Sequence, residues 1–459
     1  MRFPTRRFFL CALLAVPIST SCSDDPTIDR PRELPDGSIA EIPIDIDGAA
    51  PDACTAVESD DATGVYVSSV GSTTAKCGVR AEPCKTIALG IARAATASKA
   101  TVYVATGTYV ERVILTKGVT ISGGWTLSVE PWTRGCDVTP DATIVRAPST
   151  ENITFEAKNL GGQAGLEWLR IESKSPSDMG ESLYGLFASG SSTTLRLDHV
   201  RIEVAHAGAG MSGGTGTTGS DGATSCTAST GDVGGAGTPG TGAAAGTFTN
   251  DGYAVTTGAS GGPGTFGQNG RPGINGECVS CGTCDPVLCI INATGPACGG
   301  DGTPGCAGGP GSGGTAGTGG GSSFAVYAWD ANVQISDSSL RAGNGGNGGN
   351  GGSGGPGGKG SEGAAGANTA PCTTFCSGAG VCTETMDFGR GGGAGTKGGN
   401  GGSGGAGGGG AGGSSIAIYQ DGTGFVTTTS TTLAHGTAGK GGGPATGAGA
   451  NGTAADRIP

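Results

Sequence analysis

From residue 64 to about 207 the apolar positions come in short runs, at 102–104, 110–115, 119–122, 143–146, 153–155, 166–171, 183–188, 194–197 and 200–203. Each run is rich in Val, Ile, Thr, Tyr, Phe or Leu and is closed off by turn-forming residues, so each predicts one strand. Such strands are too short for a sandwich built of long ones. Short strands interrupted at small intervals suit a coil of stacked rungs, each hydrogen-bonded to the next. Ahead of most of them, 86–97 places Ile87, Ile91 and Ala94 on one helical face, which predicts a short helix that covers the first rung and blocks edge pairing there.

After 207 this pattern nearly stops, and glycine takes over with a strict period of three, across 210–222, 231–240, 261–276, 299–320, 345–366 and 389–413. A three-residue repeat lines one edge of a polyproline-II-like helix, where glycine lets another backbone come close. Collagen uses the same rule, but the intervening positions here are mostly Gly, Asn, Ser, Ala and Thr rather than Pro, which argues against a triple helix. Two alternatives stand. One is a disordered Gly/Ser-type linker; the other is a bundle of extended strands bonded laterally through their backbones. A linker needs glycine but no phase, so the kept phase favours the bundle, with two bare faces per strand and Asn, Ser or Lys displayed on the third.

The strand pattern returns twice inside this half. Ser322-Ser323-Phe324-Ala325-Val326-Tyr327, with 333–335 and 339–340, is echoed by Ser414-Ser415-Ile416-Ala417-Ile418-Tyr419, with 425–427 and 432–433; 183–188 is a fainter copy. Successive rungs followed by glycine excursions would look like this. Four tracts separate the first copy from the second and two separate the second from the third, so each excursion can leave the stack and return. At the polyproline-II rise, 345–366 would reach roughly 65 Å.

Composition adds a compartment. Residues 1–21 read as an export signal: Arg2, Arg6 and Arg7 precede an apolar stretch too short to span a bilayer. Thr5-Arg6-Arg7-Phe8-Phe9-Leu10 resembles a twin-arginine signal, and Ser19-Thr20-Ser21-Cys22 a lipobox with Ser where Leu is usual, which makes Cys22 the candidate lipid anchor; an ordinary secretory cleavage is the alternative. The acidic, proline-rich stretch 22–53 reads as a tether. The formal charge of −12 disfavours nucleic acid as a partner. Of sixteen cysteines, setting aside Cys11 and Cys22 leaves an even set: Cys54, Cys77, Cys84, Cys136, Cys226, Cys278, Cys281, Cys284, Cys289, Cys298, Cys306, Cys372, Cys376 and Cys382. In an exported chain these are structural disulfide candidates. Seven of them fall in the first glycine excursion and three in the second; both counts are odd, so full pairing requires a bridge between the excursions.

Four segments together resemble the opening of pectin-lyase-like right-handed parallel β-helices: Gly64-Val65-Tyr66-Val67; Glu82-Pro83-Cys84-Lys85-Thr86-Ile87-Ala88; Thr101-Val102-Tyr103-Val104-Ala105-Thr106-Gly107-Thr108-Tyr109-Val110-Glu111; and Gly118-Val119-Thr120-Ile121-Ser122-Gly123-Gly124-Trp125. More narrowly they are similar to functionally unassigned β-helix lipoproteins of myxobacteria. The glycine half resembles the PGRS repeats of mycobacteria in composition, and its pattern resembles the polyglycine sandwiches of phage tail-fibre adhesins and the snow-flea antifreeze protein. The resemblance implies an all-β fold: a parallel β-helix over 54–207 with a short N-terminal capping helix, then a glycine-rich polyproline-II-like bundle over 208–459 interleaved with rungs at 322–341 and 414–434. It implies no activity.

The chemistry in the chain is sparse. Cys278, Cys281, Cys284 and Cys289 are spaced loosely like an iron–sulfur or zinc set, but no histidine lies nearby and oxidation competes for the thiols, so disulfides are expected, and no metal or cofactor. Arg196, Asp198 and Arg201 share an outer strand face opposite Leu195, Leu197 and Ile202 and read as a solvated face, since no second carboxylate cluster is evident on neighbouring rungs. His199, His206 and His435, the three histidines, carry no triad signature. The glycines match neither a phosphate loop nor calcium-binding repeats, and the sequons at Asn152, Asn292 and Asn451 read as chance matches. Two functions remain. The first is a non-enzymatic, lipid-anchored envelope protein, on the outer membrane or cell surface or otherwise periplasmic or secreted, that binds glycan or another envelope protein. The second is a polysaccharide lyase or glycoside hydrolase on the same β-helix.

Overall fold

The computed structural model describes residues 56–127, 131–284, 291–370, 372–377 and 381–459, with side chains at 280–296, 372–387 and 445 outside the description. Within it, strands dominate and a single α-helix occurs. That helix, Ile87–Ala97, begins where Thr86 Oγ1 accepts from Leu89 N at 3.2 Å and ends on left-handed Ser98. Its face of Ile87, Gly90, Ile91 and Ala94 is buried. The approach is close: a Cβ on Gly90 would lie 2.4 Å from Val67 Cγ2.

The strands form two long parallel sheets. The larger runs Gly64–Ser72, Thr101–Ala105, Thr120–Trp125, Gly162–Glu172, Thr193–Glu203, Asn332–Ser336 and Val426–Thr429, flanked by Gly107–Val110, Thr143–Arg146, Ser339–Arg341 and Thr432–Ala434. The smaller runs Val113–Ile114, Ile153–Lys158, Leu183–Ser189, Ser323–Trp329, Ser415–Asp421 and Ala454–Ile458. Register stacks like on like. Ile121, Leu166, Leu197 and Ile335 make one ladder; Val145, Ile171, Ile202 and Leu340 a second; Phe155, Leu186, Val326 and Ile418 a third. All twelve are at most 2% exposed, and burying each contributes about 1.5–3 kcal/mol. The second copy of the strand pattern thus pairs directly with the first, and the third with the second.

Corners recur in step with the ladders. Trp168, His199, Asp337 and Ser430 occupy equivalent positions and all have left-handed backbones (φ 55, 52, 48 and 45°), as do Asn159, Gly190, Asp330 and Gly422 at another corner. The first corner explains a difference from expectation. Where 194–197 and 200–203 were separate strands by pattern, one strand, Thr193–Glu203, continues through the bend at His199. The reverse holds at 110–115, which divides because Glu111 turns aside to accept from Ile87 N and Ala88 N at the helix start, while Arg112 pairs with Glu151 and Glu156.

The smaller sheet carries a second, aromatic layer on Tyr184, Phe187, Phe324, Tyr327, Ile416 and Tyr419. A hairpin, Thr247–Thr249 with Gly252–Ala254, lies over it. Phe248 stacks on Tyr419 at 4.2 Å, and the Tyr184 and Tyr327 hydroxyls accept from Tyr253 N and Thr249 N.

The glycine tracts bond laterally, one backbone to the next, at every third residue. Gly210, Gly213, Gly216, Gly219 and Gly222 donate to the carbonyls of 347, 350, 353, 356 and 359, a parallel pairing; Thr318, Thr315, Ser312 and Gly309 donate antiparallel to 211, 214, 217 and 220. The 302–321 tract is bonded to 208–222, 258–273, 346–364 and 396–411 alike, so its neighbours surround it. Out-and-back travel follows from these directions. A further short pair, 436–443 and 447–452, repeats the arrangement beyond the six tracts read from sequence. Many third-position side chains, several of them exposed as expected, also bond to a neighbouring tract. Thr318, Thr315 and Ser312 accept from the amides of Met211, Gly214 and Thr217, and Asn344, Asn347 and Asn350 accept from Thr437, Lys440 and Gly443 at 2.7–2.9 Å. They satisfy amides that the backbone lattice leaves over. Sheets and tracts belong to one compact unit, Thr55–Pro459.

Candidate functional site

Cysteines close the chain where it turns. Disulfides join Cys77 to Cys84, Cys226 to Cys306 and Cys278 to Cys298, and Cys136 is disulfide-bonded as well. Cys226–Cys306 ties the end of the first tract to the fourth. Cys278–Cys298 closes the base of the antiparallel hairpin Cys278–Cys284/Ile291–Cys298. The strand Cys278–Cys284 runs beside Cys372–Ser377 of the other excursion's hairpin. Cys22, Cys54 and Cys289 lie outside the described residues, as do the side chains of Cys281, Cys284, Cys372, Cys376 and Cys382.

The outer face of the larger sheet holds the densest functional groups. The Arg134 guanidinium lies 5.1 Å from the Trp125 ring centre and 4.9 Å from that of Trp168, and the other neighbour of Trp168 is His199, stacked at 4.1 Å and 13°. Burial lowers the Arg134 pKa, opposed by Glu167. The cation is held by the two indoles and by Ser122 Oγ at 2.8 Å. Trp168 and His199 are brought together by register, each at the left-handed bend of its strand.

Around that corner, arginine and carboxylate alternate. Glu172 and Glu203 are register partners, as are Arg170 and Arg201, pairs that would repel if aligned. Diagonal pairing relieves this: Arg170 bridges Glu172 and Glu203, Arg201 bridges Glu203 and Asp141, and Arg146 pairs with Glu172. Burial raises the Glu203 pKa, but hydrogen bonding and charge from Arg201 and Arg170 bring it below the usual value. The expectation that no second carboxylate cluster lies on the neighbouring strands is therefore corrected: Glu167 is the register partner of Asp198, and Asp337 lies at the next corner. Beside this lattice is a groove of about 660 Å³ bordered by Arg146, Glu172, Glu203, His206 and Arg341.

Of the residues singled out in sequence, Arg196 is exposed, Asp198 accepts from Ser336 Oγ at 2.6 Å, and Arg201 joins the charge lattice on the other side of the bend. His206 Nδ1 accepts from Asn344 N, and His435 lies 3.9 Å from Asp456; the three histidines are dispersed. Arg134, Trp168 and Asp337 were not singled out. An internal repeat carries the signal for the corner: Leu166-Glu167-Trp168-Leu169-Arg170-Ile171-Glu172 against Leu197-Asp198-His199-Val200-Arg201-Ile202-Glu203. No family model matches this sequence and no curated protein is similar to it, so the geometry carries the functional reading.

Proposed function

We propose that the chain is a non-enzymatic envelope protein, anchored outside the cytoplasm by a lipid on Cys22, in which a pectin-lyase-like right-handed β-helix carries a rigid polyglycine-II-type slab for structural, adhesive or surface-binding work. The observation that supports it best is the lateral bonding of the glycine tracts at every third residue in both directions: a chain that builds an extended lattice chiefly from backbone presents a stiff surface rather than a cavity. The aligned corners support the coil, and the disulfides fit an oxidising compartment. Glycan or a second envelope protein are the partner classes this surface suits.

Hydrogen exchange tests the slab. Strong protection of the amides in 345–366 is expected, and complete exchange within seconds would sink it. A second reading, a polysaccharide lyase or hydrolase, draws on the charged groove, yet the carboxylates there are bound to guanidinium groups rather than poised as an acid and base. Incubation with a panel of polysaccharides separates the two: co-sedimentation without new sugar ends supports binding, and release of unsaturated or reducing ends, lost in R196A or D198N, establishes the enzyme.

A further inference from the structure

We propose that Asp198, His199 and Asp337 bind a divalent transition-metal ion, with Zn²⁺ the best fit, at the corner of the larger sheet. The inference is independent of the envelope role. One ligand atom from each residue lies within 4.8 Å of the other two. The imidazole supplies the decisive observation. His199 Nδ1 is buried and makes no hydrogen bond, although Asp198 Oδ1 is only 3.3 Å away. The two atoms are close but not aligned as donor and acceptor, and in the Nε2–H tautomer the Nδ1 lone pair and the carboxylate oxygen would both be satisfied by a cation between them. A separation of about 3.3 Å is what two ligands of one tetrahedral ion show at zinc bond lengths.

The surroundings hold these groups in place. Trp168 stacks flat on the imidazole, fixing its plane. Ser336 Oγ donates to Asp198 Oδ1 at 2.6 Å, the kind of outer contact that orients a ligating carboxylate. His199 and Asp337 both hold left-handed backbones, a conformation uncommon away from glycine that brings successive corners to the same edge. Imidazole with two carboxylates suits zinc over calcium or magnesium, which take oxygen donors. Asp337 is exposed, so one side of the ion would stay open to water or to an acidic ligand.

The test is calorimetric titration of the full chain with zinc chloride in chelator-free buffer, with tryptophan emission followed in parallel because Trp168 touches the ligating ring. Saturable binding of one ion with a change in emission is expected. H199A should lose both signals, D337N should bind at least tenfold more weakly, and S336A about tenfold more weakly, while H206A and H435A bind like the parent. Unchanged thermal unfolding of metal-free H199A shows that its loss is not misfolding; if it unfolds early, H199Q and D337N take its place. Zinc binding retained in H199A or H199Q, or no binding by the parent at about millimolar zinc, overturns the proposal.

Discussion

The parallel sheets and the glycine lattice lie in one chain and are held together by opposite means. In the sheets, side chains do the work: ladders such as Phe155, Leu186, Val326 and Ile418 fill the interior, and the backbone only spaces them. In the lattice the backbone does most of the work, and its closest contacts fall at glycines that leave no room for a side chain. A Cβ on Gly404 would lie 1.9 Å from the Ser312 carbonyl oxygen, and one on Gly405 2.0 Å from that of Thr238. The hydrophobic effect needs apolar area to remove from water, which glycine barely has. The lattice therefore depends on amide–carbonyl bonds that recur at least at every third residue, in a space too narrow for a methyl group, and a protein can be dense in either way.

The sharpest way to break this comparison is to change volume in opposite directions. Phe155 is fully buried, so Phe155→Ala should cost about 3–5 kcal/mol in denaturant unfolding. In the lattice, addition should do what deletion does in the sheets. Gly404→Ala pushes two backbones apart with no flexible side chain to yield, and should cost about 3 kcal/mol or more. The control is Gly214, where a Cβ meets only Thr315 Oγ1 at 3.6 Å; Gly214→Ala should stay within about 1 kcal/mol of the parent and can stabilise through the unfolded chain. Equal losses at 404 and 214 would mean that composition, not close approach, sustains the tracts.

Much of this division was legible in the sequence, for reasons that differ by region. The apolar runs mark the strands because each must bury one face, and the paired copies at 323–327 and 415–419 find each other in register. The glycine period gives lattice phase because every third residue meets a neighbour. What stayed hidden depends on long-range register. Nothing local says that Asn347 will serve Lys440, or that Trp168 and His199 will stack. The left-handed corner at Trp168 is also invisible to propensity, which favours that conformation for Gly, Asn, Asp and His. The 436–452 pair keeps only Gly436, Gly439 and Gly442, then Gly449 and Gly452, in phase, too few to stand out as tracts. The pattern shows which faces are bare and which side chains are displayed, but not which amides lack backbone partners and are served by those side chains.

Those side chains give the next test. Asn347 Oδ1 accepts from Lys440 N at 2.9 Å, while the Asn347 backbone carbonyl accepts from Gly210 N. Asn347→Ala keeps the second bond and removes the first. Stability should fall by about 0.5–1.5 kcal/mol, and hydrogen exchange should speed up at Lys440 while Gly210 stays protected. Faster exchange along the whole 345–366 tract would show that the asparagines hold the lattice up rather than close its remaining amides.

The smallest expected effect separates the regions by acid. Glu203 ionises below its usual range in the fold, so the stabilisation it lends is present above the unfolded pKa and is lost as pH falls through the folded one. Glu203→Gln should remove that slope, changing stability near neutral pH by less than about 1 kcal/mol because the pair is partly exposed. The glycine lattice rests on amide–carbonyl bonds that do not titrate. Over the same acid range, exchange protection, corrected for intrinsic rates, should decline first at the larger sheet's charged corner and stay level at Gly314, Gly352 and Gly405 in the lattice interior. A parallel decline in both regions would mean that the charge lattice, and not the backbone, limits the stability of the tracts.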